Sequence, residues 1–158
     1  MLVKKIIDED YNDYGKSASM FIAFTTCSFK CDKECGVQVC QNSALAHEPN
    51  IDMKTEDIIK RYLENPITRA IVCGGLEPFD SFDELYTLIK DLRQHTDDTV
   101  IIYTGYNASE ILDKVFQLKP FKNIIIKFGR FIPNQEKHYD RILGVELASP
   151  NQYAEKIS

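Results

Sequence analysis

Residues 69–92 read RAIVCGGLEPFDSFDELYTLIKDL. Arg69 to Cys73 is an apolar run with β-branched residues, too short for a helix and stopped by Gly74-Gly75. It reads as a strand. Ser81, followed three residues later by Glu84, has the pattern of a capping box. Beyond it Leu85, Leu88, Ile89 and Leu92 share one helical face, and the helix is expected to run to about His95. A strand, a glycine turn and a capped helix make the first part of a βαβ unit.

The same unit recurs on both sides. Downstream, Thr99 to Tyr103 (TVIIY) is a strand ended by Thr104-Gly105. Asn107 and Glu110 form a second capping pair, opening a helix with Ile111, Leu112, Val115 and Phe116 that Lys119-Pro120 stops. Asn123 to Phe128 (NIIIKF) is a further strand, ended by Gly129. Upstream, Ser19 to Thr25 is the first strand, Ser43 to His47 makes a turn of helix, and Thr55 to Asn65 is an amphipathic helix. The last carries Ile58, Ile59, Tyr62 and Leu63 and closes before Pro66. Residues 1–16 are polar and irregular and predict a lead-in arm, while Ile142 to Ser149 reads as one more strand or an edge extension.

A repeat of about 25–30 residues built from strands this apolar predicts an α/β domain with a parallel sheet buried on both faces. In such sheets chemistry gathers at the carboxyl ends of the strands. The segments following the strands therefore belong on one rim: the cysteine-rich stretch, Gly74-Gly75, Thr104-Gly105 and Gly129-Arg130.

That stretch, Cys27 to Asn42, reads CSFKCDKECGVQVCQN and holds four of the five cysteines. The start of the chain, MLVKKIIDEDYNDYGKS, has no apolar core of a signal peptide. Thiols this dense, without a secretory signal, predict a metal site in a reducing cytoplasm rather than disulfides. Three thiolates would leave one iron of a [4Fe-4S] cluster open to another ligand, whereas four would close the site. The 158 residues suit a single domain, 44% hydrophobic and 27% charged. No apolar run approaches the roughly 20 residues that span a bilayer. A net charge of -5, with no Lys/Arg run, argues against a general nucleic-acid or anionic-membrane binder.

With those positions in hand, the chain resembles the radical S-adenosylmethionine (SAM) superfamily. Cys27-x3-Cys31, with a later Cys followed by x-Asn, is similar to its CxxxCxxC motif. Within the superfamily the likeness is to the activating proteins of anaerobic ribonucleotide reductase. Cys73-Gly-Gly-Leu-Glu-Pro78 resembles the GGEP motif, and Tyr103-Thr-Gly-Tyr106 the YTGY stretch. Gly129-Arg-Phe131 resembles the DGRF turn and Ser149-Pro-Asn-Gln152 the C-terminal SxNQ. The matches run in order from about Gly15 to Gln152.

The resemblance implies a [4Fe-4S] cluster on Cys27, Cys31 and Cys40, with Cys35 the alternative third ligand. Val39-Cys40-Gln41-Asn42 fits the family's hydrophobic-Cys-x-Asn, which makes 32–37 an inserted loop and Cys35 a spare thiol. It implies SAM held by Val39, Asn42, Tyr103, Thr104 and Gly105, with Gly74, Gly75 and Glu77 at its ammonium and Arg130 at its carboxylate. Two departures stand out: Leu76 is inserted within GGEP, displacing either the glycines or Glu77, and Phe128 stands where the family often has Asp.

The fold implied is an incomplete parallel β/α barrel, since a full one takes about 250 residues. An unclosed side suits a macromolecular substrate. The activity implied is activation of a glycyl-radical enzyme: SAM is reductively cleaved and a glycyl radical is made on a large partner subunit. Anaerobic ribonucleotide reductase is the partner and a flavodoxin-type protein the electron donor on this reading. Two alternatives stay open: a radical SAM enzyme for another peptide or small molecule, and a non-catalytic zinc or iron–sulfur binding module. Cys73 reads as a buried small apolar residue, and His47, His95 and His138 as isolated surface or capping groups.

Overall fold

The computed structural model describes residues 1–158. In chain order it comprises β1 (Leu2–Val3), β2 (Lys5–Asp10), β3 (Ser19–Phe24), α1 (Lys30–Cys35), α2 (Ser43–Ala46), β4 (Ile51–Asp52) and α3 (Thr55–Glu64). There follow β5 (Ala70–Gly75), α4 (Phe82–Leu92), β6 (Thr99–Tyr103), α5 (Leu112–Leu118) and β7 (Ile124–Phe128). The chain ends with β8 (His138–Asp140), β9 (Val145–Leu147) and β10 (Tyr153–Lys156).

Six strands form the main sheet in the order β10-β7-β6-β5-β3-β2. The four strands expected from the βαβ repeat, β3, β5, β6 and β7, are its parallel centre. The sheet as a whole is mixed, because β2 and β10 add antiparallel edges. No pairing joins those two edges. The alternation of strand side chains gives each face its own cover. Met20, Ile22, Ile71, Cys73, Ile102 and Ile126 pack under α3, α4 and α5. Val72, Ile101, Ile125 and Ala154 face the other way, packed with Leu143 and Leu147.

Several expectations need correction. Residues 1–16 are not an irregular arm: β1 pairs with β4, and β2 pairs with β3 across a bulge. Lys5–Asp10 reads as polar because an edge strand alternates solvent-facing charges with half-buried residues. Residues 32–37 are not a plain loop, since Lys30–Cys35 is helical and Gly36 ends it at φ 71°. Ile142 to Ser149 does not extend the main sheet; it supplies β9, which pairs with β8 in a separate hairpin. Ser81 makes no side-chain cap, because Pro78–Ser81 is already a 3-10 turn and Glu84 instead accepts from the Leu2 amide. The second capping pair forms, with Glu110 accepting from the Asn107 amide at 2.8 Å, but it opens a 3-10 turn ahead of α5. Leu63, Leu112 and Phe116 lie exposed rather than on the core.

Candidate functional site

The carboxyl ends of the four parallel strands converge on one cavity of about 390 Å³. Its wall takes Cys27, Cys31 and Cys40 from the segment after β3, and Gly74 to Glu77 at the end of β5. From β6 come Tyr103, Thr104 and Gly105, and from β7 come Lys127 and Gly129. The common rim expected from the strand order is therefore present. Asn42 also lines it, with its side-chain amide donating to the Gly75 carbonyl at 2.7 Å. Val39, Cys35 and Arg130 do not line it.

Glu77 is the hub. Its carboxylate accepts from the Thr104 hydroxyl at 2.7 Å, the Gly105 amide at 2.9 Å and the Phe79 amide at 3.1 Å. Burial pushes its carboxyl up to about 7, against those three donors. The Leu76 side chain packs with Ala23 and Leu45, and Gly74, Gly75 and Glu77 all line the cavity. A Cβ at Gly105 would be in ordinary contact with both the Cys31 sulfur, at 3.4 Å, and Glu77 Oε2, at 3.7 Å. Cys31 and Glu77 thus meet at one backbone position.

The thiols are ordered by local bonds. Cys27 Sγ accepts from the Phe29 amide at 3.2 Å, and Cys31 Sγ from the Phe131 amide at 3.4 Å. Cys40 is brought back by Asp32, whose Oδ1 accepts from the Val39 and Cys40 amides, each at 2.8 Å. Burial pushes the Cys27 thiol up to about 12 and raises that of Cys31. No three His, Cys, Asp or Glu side chains stand at metal-holding separations. The donor set nevertheless fits iron: three soft sulfur donors share one concave wall, two already receiving amide hydrogen bonds of the kind that tune cluster sulfurs.

Arg130 lies off the cavity wall, behind Gly105. Its guanidinium binds Glu34 at 2.8 Å, Glu110 at 2.7 Å and the Gly105 carbonyl. Burial works against Glu110, but hydrogen bonds from Arg130, the Asn107 amide and Lys30 hold its carboxyl down at about 2. Arg130 therefore ties α1 to the segment after β6. The Ser149-Pro-Asn-Gln152 stretch closes on the Gly129 turn: Asn151 donates to the Arg130 carbonyl at 2.9 Å and Gln152 to the Gly129 carbonyl at 3.4 Å.

The model of the 4Fe-4S single cluster domain matches residues 12–149, a span that holds the three cavity cysteines and every strand-end segment around them. The chain belongs to the 4Fe-4S single cluster domain family. Neither a curated protein nor a solved structure matches it. The single cluster domain is an iron–sulfur protein, and no helix in it is long and apolar enough to cross a membrane.

Sequence reasoning missed several residues in or beside this single cluster domain's cavity, Asp13, Asp32 and Lys127 among them. Asp32 lay in the stretch read as an insertion, and only its spacing from Cys40 could have drawn attention. Lys127 lies within an isoleucine-rich strand, where one lysine reads as an edge charge. Its side chain is instead buried on the cavity face, beside Tyr103 in register.

Proposed function

We propose that this single cluster domain is a radical SAM enzyme, an incomplete parallel β/α barrel, that activates a glycyl-radical partner. The observation that carries the reading is the convergence of Cys27, Cys31 and Cys40 with Gly74, Gly75 and Glu77 on one cavity at the strand ends. Cys27, Cys31 and Cys40 would hold a [4Fe-4S] cluster, which when reduced would supply the electron for cleavage of SAM to methionine and a hydrogen-abstracting 5'-deoxyadenosyl radical.

The chain's own residues bind, orient and exclude water. Glu77 is a buried acceptor for the SAM ammonium, held in place by Thr104 and Gly105. Asn42 and Gly75 fasten the cysteine segment to the β5 turn, and Asp32 holds Cys40 beside the other two thiols. Tyr103 presents a ring on the same wall, suited to stacking on adenine. The partner on this reading is a large glycyl-radical subunit such as anaerobic ribonucleotide reductase, with a flavodoxin-type donor of electrons in the cytoplasm.

The test is anaerobic reconstitution with iron and sulfide, then dithionite and SAM, with assay for 5'-deoxyadenosine. Wild type is compared with Cys35→Ala and Cys40→Ala. Product that survives loss of Cys35 but not of Cys40 supports the enzyme and its ligand set together. The reverse pattern keeps the enzyme and exchanges the third ligand. Tightly held zinc on four thiolates, with no product, sinks the reading in favour of a structural binding module.

A further inference from the structure

Lys127 is the cavity residue whose burial the fold does not explain. It occupies the fourth position of β7, opposite Tyr103 of β6, and is 6% exposed. Its ammonium has one hydrogen bond, to the Gly129 carbonyl at 3.2 Å, and takes part in no ion pair. The Tyr103 ring centroid lies 5.8 Å away, at the outer limit of a useful cation–π contact. A desolvated ammonium with one neutral acceptor is costly unless an anion reaches it.

Three acidic groups act on it across the cavity, the Cys31 thiol first and then Glu77 and Asp13. Glu77 accepts from Thr104, Gly105 and Phe79 and forms no ion pair with Lys127. Asp13, on the same wall, is pushed up to about 6 by burial and by Asp10, against the pull of Lys127. Arg130, the cation expected at the ligand's carboxylate, is already bound to Glu34 and Glu110 and lies off the wall. The cavity thus offers one carboxylate hub, Glu77, and one unpaired ammonium, Lys127. That pair is complementary to the zwitterionic end of an α-amino acid.

We propose that Lys127, in place of Arg130, binds the carboxylate of the amino-acid end of SAM. The assignment rests on the SAM reading above and adds a residue to it. The probes are SAM and its decarboxylated analogue, bound at equilibrium to the cluster-loaded protein without oxygen, by calorimetry. Wild type, Lys127→Met, Lys127→Arg and Arg130→Lys are compared, with iron content and circular dichroism checked for each.

Wild type is expected to favour SAM over the analogue about 10- to 100-fold, the range for a charge-assisted hydrogen bond. Lys127→Met should bring the preference below about 3-fold while leaving analogue binding nearly unchanged, and Lys127→Arg should restore most of it. Arg130→Lys should keep it. A preference intact in Lys127→Met, or absent in wild type that binds both probes, overturns the assignment and spares the SAM reading. Wild type that binds neither probe overturns the SAM reading and this assignment with it. Should Lys127→Met lose its iron or fold, Lys127→Gln takes its place in the same comparison.

Discussion

A methyl group on Gly75 would lie 2.9 Å from the Ala23 Cβ, at a backbone position with φ 79°. Both the crowding and the left-handed conformation act against any other residue there. Gly75→Ala is expected to lower stability by about 1–3 kcal/mol, read as a drop in the urea midpoint. Gly74-Gly75 and Thr104-Gly105 were legible because each follows an apolar run that reads as a strand, whereas Glu77 and Tyr103 were singled out only by the resemblance to the GGEP and YTGY stretches. Lys127 was not legible, since nothing local says which face of β7 it takes. Arg130 was legible as a cation near the rim, but its partners Glu34 and Glu110 lie 96 and 20 residues away. Its role is set by tertiary contact.

Among the elements, α1 and the return to Cys40 form a closed unit. Asp32 spans it with two hydrogen bonds, and Gly36 turns the chain. Asp32→Ala leaves the Val39 and Cys40 amides without that acceptor and should speed iron loss to a chelator by about 10-fold or more, on the scale of hydrogen bonds to a charged group. Glu34→Gln should change it far less, because Glu34 is 55% exposed and a screened surface pair contributes little. Comparing chelation half-times of the two variants checks both. The parallel centre of the sheet could be read from the apolar runs and the glycine stops. The edge strands β2 and β10 could not, because half-exposed strands carry charge and lose the apolar signature. The helix across Cys31 and Cys35 was hidden by its shortness, as six residues carry little periodicity.

For the whole molecule, the buried Glu77 carboxyl and the half-buried Asp13 carboxyl set the pH response. Asp13 is raised to about 6 and Glu77 to about 7, each by burial first. Between about pH 4.5 and 7 the folded chain therefore holds protons that the unfolded chain has released, so stability falls as pH rises. Lys127, lowered to about 8 by burial, acts with the opposite sign and only above that pH. The urea midpoint of the iron-free protein should fall from pH 5 to pH 7.5. The combined Asp13→Asn and Glu77→Gln variant should show a shallower fall, and an equal slope in both proteins would refute the assignment.

The cavity wall is drawn from parts of the chain distant in sequence: Asn12 and Asp13 before β3, and Val145 to Ala148 and Gln152 after β8. During synthesis the thiols therefore leave the ribosome long before their shelter exists. A nascent chain halted ahead of Val145 exposes a half-built pocket, and iron delivered then would meet solvent on the missing side. Cluster insertion belongs after Val145 to Gln152 have docked. Alkylation rates of Cys31 in stalled and released chains should differ accordingly, fast in the first and slow in the second.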